Sequence, residues 1–152
     1  MTIPLVANPK CQMNNTPVEY IQSSGAQVID TGIIMSNVNE VQSKFKSTTA
    51  SKYLYGCISS NNTKSFTAYI SSAGNWRFGN QTIAVPLSNN VIYETVHNST
   101  GVTVNGTSAG TYGNTTFTAP CSLALFGSAS ATGAVSPNFA GSMYYARIYD
   151  ND

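Results

Sequence analysis

From residue 18 onward the apolar residues come in short alternating runs, not at helical spacing. Segment 38–46 sets the pattern, with Val41, Ser43 and Phe45 on one side of the chain and Gln42, Lys44 and Lys46 on the other. That is the period of a half-buried strand. Comparable runs predict strands at 53–58, 66–70, 76–78, 91–96, 102–104, 122–126 and 143–149. Turn residues such as Gly74-Asn75, Asn105-Gly106 and Gly133 punctuate them. Segments 18–22 and 27–34, flanking Ser23-Ser24-Gly25, read as a hairpin. Segments 107–119 and 127–140 are rich in Ser, Thr, Ala and Gly and read as long connections or weakly patterned strands. About ten strands at spacings of roughly 8 to 12 residues predict an all-β, antiparallel two-sheet sandwich or jelly roll with very little helix.

Residues 1–17 differ in character. They carry three of the six prolines (Pro4, Pro9, Pro17) and no alternation, so they read as an extended N-terminal arm ahead of one domain spanning 18–152. The arm is expected either to stay loose or to dock on a neighbouring subunit. The 152-residue length suffices for one domain with its own core.

Composition narrows the function. Only 9% of residues are charged, with a formal net charge of +1. The seven Lys and Arg are scattered, which argues against nucleic acid. Ser (19), Thr (17) and Asn (16) take the place of charge, giving a neutral polar surface with little self-repulsion. Cys11, Cys57 and Cys121 form no C-x-x-C pair and read as buried free thiols, with a single bridge as the alternative. No stretch approaches a membrane span, and the first residues lack a secretory signal pattern. Six Asn-x-Ser/Thr sequons follow from the composition.

The stretches VEYIQSSGAQVIDTGI (18–33), FTAYISSAGNWRFGN (66–80), GVTVNGT (101–107), LALFGS (123–128) and FAGSMYYARIYD (139–150) follow one another along the chain. Together and in that order they resemble the laminin-G-like jelly-roll family of the concanavalin A-like lectin and glucanase fold, in its phage and gut-bacterial form. The resemblance implies about fourteen strands in two curved sheets. Related domains continue past the Ile-Tyr-Asp strand, so either that last strand is dispensable here or the edge is filled by the arm or by a neighbour.

Fold alone does not assign function. The related glucanases carry a Glu-x-Asp-x-Glu strand, and the six acids here (Glu19, Asp30, Glu40, Glu94, Asp150, Asp152) provide none. His97, the single histidine, has no nucleophile elbow beside it and reads as a satisfied or turn histidine. Asp30 is a weak metal candidate, better read as a carboxylate accepting backbone N–H groups at a turn. No cofactor is expected. Trp76 with Asn75 and Arg77, near Tyr69, suits sugar stacking and hydrogen bonding, although the alternation of Trp76 with Phe78 favours core. Tyr112, framed by glycines, and Asn61 are candidate exposed contacts. The expectation is a non-enzymatic bacteriophage virion protein: a capsid decoration, fibre or tail-associated jelly roll. It assembles in the host cytoplasm with other virion proteins or as a homo-oligomer, with a cell-surface glycan as candidate ligand and no nucleic acid or membrane insertion. The alternative is a secreted, extracellular bacterial carbohydrate-binding or adhesion module.

Overall fold

A computed structural model describes residues 3–4, 20–48, 53–59, 65–70, 75–78, 83–111, 117–137 and 139–150. Among them are fifteen strands and no helix, arranged as two sheets packed face to face in an all-β, jelly-roll-like sandwich.

The seven-stranded sheet runs β1 (Ile3–Pro4), β15 (Ala140–Asp150), β4 (Asn39–Ser47), β9 (Ile92–Asn98), β10 (Gly101–Val104), β11 (Thr107–Thr111), with β2 (Ile21–Ser24) also on β15. The eight-stranded sheet runs β14 (Val135–Pro137), β13 (Gly127–Ser130), β5 (Tyr53–Ile58), β6 (Phe66–Ile70), β7 (Trp76–Phe78), β8 (Ile83–Val85). Two strands lie off that path, β12 (Thr118–Leu125) on β5 and β3 (Ile29–Ser36) on β12. All pairings are antiparallel except β13 on β5.

Strand β4 shows why the sequence folds this way. Asn39, Val41, Ser43, Phe45 and Ser47 are buried while the alternate residues are half-exposed, so one face of the strand belongs to the core. Across the sandwich, Phe45 meets Trp76 of β7, ring centroids 4.6 Å apart. His97 of β9 stacks on Phe66 of β6 at 4.0 Å and pairs its Nδ1 with the Tyr55 hydroxyl at 3.0 Å. These inter-sheet contacts, with Leu54, Leu123, Leu125 and Met143, form one continuous core.

Two expectations change. The hairpin across Ser23-Ser24-Gly25 does not form: β2 pairs with β15 and β3 with β12, in opposite sheets. Gly25 adopts φ +101°, and the Gln27 side-chain oxygen accepts from the Ser23 and Ser24 hydroxyls and the Ser24 amide. This turn carries the chain from one sheet to the other. Turn chemistry marked the bend, but the strand partners lie more than eighty residues away and leave no local trace. Second, of the two readings of His97 the turn one fails and the satisfied one holds: the ring sits inside β9, 1% exposed and paired with Tyr55, and the turn begins after Asn98.

The segments read as weakly patterned yield β11, β13 and β14. Between β12 and β13 the chain reverses at Phe126, whose φ of +62° is rare for a bulky side chain. Its amide donates to the Leu54 carbonyl (2.7 Å), and its carbonyl accepts from Phe139 (3.2 Å), so the surrounding strands hold the bend. On the far side, β1 pairs Ile3 with Ile148 and Pro4 with Arg147, placing part of the arm on the edge of the closing strand.

Candidate functional site

Strand alternation sends the predicted site residues to different places. Trp76 and Phe78 face inward, both essentially unexposed, and Trp76 lies against Phe45. No face of the indole is open to a sugar, so the stacking role considered for Trp76 does not apply and its work is packing. Arg77, between them, faces outward directly opposite Tyr69 of β6. Tyr69 in turn packs on Tyr53 of β5 with centroids 5.0 Å apart, a partner the sequence did not single out. The Tyr53 ring lies beside Gly56: a Cβ there would lie 3.4 Å from that ring, 3.3 Å from Thr67 and 3.2 Å from Ser128. Burial raises the Tyr53 phenol pKa. Asn75 is half-buried just before β7. Tyr112 and Asn61 lie outside the described residues.

Asp30 is exposed on β3. Its Oδ1 accepts from the Ser122 hydroxyl and the Gly32 amide, and these bonds, Ser122 foremost, hold its carboxyl below the usual range. Among the described residues no three His, Cys, Asp or Glu side chains gather at metal-binding distance. Cys57 and Cys121 are free thiols, and burial pushes Cys57 up to about 12, far from a reactive thiolate.

The outer face of the seven-stranded sheet is richer. Opposite the outward residues Glu40, Gln42 and Lys44 of β4 stand Tyr149, Arg147 and Tyr145 of β15; on the other flank, Gln42, Lys44 and Lys46 face Val96, Glu94 and Ile92 of β9. A β-bulge between Met143 and Tyr145 inserts Tyr144, and Tyr20 packs on it at 5.5 Å. Ile21, opposite the buried Met143, alternates with Tyr20, so the Tyr20 contact puts the inserted Tyr144 ring on the outer side. The Arg147 guanidinium lies over the Tyr145 ring, 4.7 Å from its centroid. Lys44 pairs with Glu94 at 2.8 Å, which raises the Lys44 pKa. Glu40 accepts from Gln42 (2.8 Å) and from Asn98 (3.0 Å). Burial, then Glu94, raises the Tyr145 phenol.

Four of the nine tyrosines and five of the thirteen charged residues thus share one sheet face of a chain poor in charge. By sequence this face goes unmarked, because 139–150 reads only as a closing strand. The available signal was Tyr144-Tyr145-Ala146-Arg147-Ile148-Tyr149, which carries one more tyrosine than a strict alternation provides. Neither a protein-family model nor a curated protein sequence matches the chain.

Proposed function

We propose that the chain is a non-enzymatic contact module of a bacteriophage particle, a laminin-G-like jelly roll that docks through its N-terminal arm and takes a surface glycan on the outer face of β15, β4 and β9. The observation that carries the glycan part is the concentration of Tyr144, Tyr145, Tyr149 and Arg147 beside a hydrogen-bonded polar array. Tyrosine rings offer apolar faces to sugar rings, and the amide, carboxylate and guanidinium groups bond hydroxyls. The virion part draws on the ordered family resemblance, the neutral polar surface and the arm strand on β15.

The carboxylate arrangement supports a binding role over hydrolysis. Glu40 and Glu94 share the face but sit four strand positions apart, roughly 13 Å, and each is engaged by its own neighbours. A glycosidase pair spans about 5 to 9.5 Å.

Deleting residues 1–17 is expected to abolish incorporation into particles, and Tyr145→Ala to weaken glycan-array binding about tenfold without unfolding the domain. Unimpaired incorporation together with unchanged array binding would sink the proposal. The runner-up, an extracellular carbohydrate-binding module, draws on the same face; a monomer that binds glycan and never associates with particles selects it.

A further inference from the structure

We infer that the glycan taken by the outer face of β15, β4 and β9 is an acidic saccharide, held with its rings over Tyr144 and Tyr145 and its anionic groups on Arg147 and Lys46. The inference rests on the glycan reading above and adds the ligand class. Its basis is how the charges on this face are distributed. Lys44 and Glu94 neutralise one another at 2.8 Å. Glu40 is occupied by the neutral donors of Gln42 and Asn98. Arg147 and Lys46 have no acidic partner among the described residues.

The register places these two cations on either side of the tyrosines. Tyr145 lies opposite Lys44, Arg147 opposite Gln42, and Lys46 opposite Ser142. Each cation is therefore two strand positions from the tyrosine row, in opposite directions, and the two are about 13 Å apart along the sheet. Arg147 is exposed and is steadied over the Tyr145 ring, which leaves the edge of its planar fork for a carboxylate or sulfate. A neutral glycan would use the tyrosines and leave both cations without a role. A bare polyanion would use the cations and leave the rings idle.

The test is binding of the full chain to immobilised polygalacturonate, its methyl ester, dextran sulfate, dextran and inorganic polyphosphate, for the wild type and for Arg147→Gln, Lys46→Gln and Tyr145→Ala, each checked for folding by thermal melting. Binding to polygalacturonate or dextran sulfate is expected to exceed binding to the uncharged forms and to polyphosphate at least about tenfold. Arg147→Gln and Lys46→Gln are each expected to weaken it by about tenfold, and Tyr145→Ala by a similar factor. The preferred arm tells carboxylate from sulfate. Equal binding to the methyl ester and dextran would overturn the acidic class while leaving the glycan reading intact. Equal binding to polyphosphate would reduce the face to simple charge. Binding to no saccharide by a folded protein would overturn both readings.

Discussion

Two aromatic residues in neighbouring sheets illustrate what position does to chemistry. Trp76 is sealed against Phe45 and Phe78, so Trp76→Ala is expected to cost about 3 to 5 kcal/mol in a urea titration. Tyr145 covers its sheet from outside, and its replacement is expected to leave the melting temperature within a few degrees while weakening glycan binding about tenfold. His97 gives a pH prediction with a definite sign. Burial lowers its folded pKa to about 3 from 6.5. The unfolded imidazole takes up a proton below about 6.5 while the folded ring stays neutral, so stability present above that pH is lost as pH falls towards 3. Chemical denaturation at pH 7 and pH 5 is expected to differ by about 2 kcal/mol in the wild type, and His97→Phe to lose that difference. At this scale the sequence was partly informative. Alternation with Phe78 already favoured core for Trp76, but nothing around His97 signalled its burial among Phe66, Phe78 and Tyr55, because those rings come from other strands.

The closing strand concentrates two devices. Its bulge adds Tyr144 between Met143, opposite Phe45, and Tyr145, opposite Lys44. Removing Tyr144 would restore simple alternation without changing any other partner. The deletion variant is expected to fold with near-normal melting and to bind glycan less well; a large loss of stability would assign the bulge to the fold instead. Three residues earlier, Gly141 sits where a Cβ would run into the Lys46 carbonyl and the Phe139 ring. Gly141→Ala is expected to destabilise by about 1 to 3 kcal/mol, read as a lowered melting temperature. Strand positions such as 53–58, 66–70 and 76–78 were legible as alternating runs between turn residues. The bulge was visible only as an extra tyrosine, and β13 and β14 were obscured by small residues that carry little pattern.

Across the whole molecule, charge contributes little to holding the sandwich together. The ion pair among the described residues, Lys44 with Glu94, is half-exposed and screened by salt. The melting temperature is therefore expected to move by less than about 4 °C between low salt and 1 M NaCl, whereas acidic-glycan binding should weaken steeply over the same range. That contrast separates the charges that recognise from those that merely decorate.

The sequence by itself determined the all-β class, most strand positions, and which face of β4 turns inward, because side-chain period is a local property of the chain. It also restricted function by what low charge leaves scarce, above all a paired-carboxylate strand. Only the tertiary structure decided that β2 and β3 part into opposite sheets, that Tyr69 meets Tyr53, and that Tyr144, Tyr145 and Arg147 join Lys44, Lys46 and Glu94 on one face. Some of those neighbours come from strands more than a hundred residues apart, and their register is set by the core they close together rather than by any short stretch of chain.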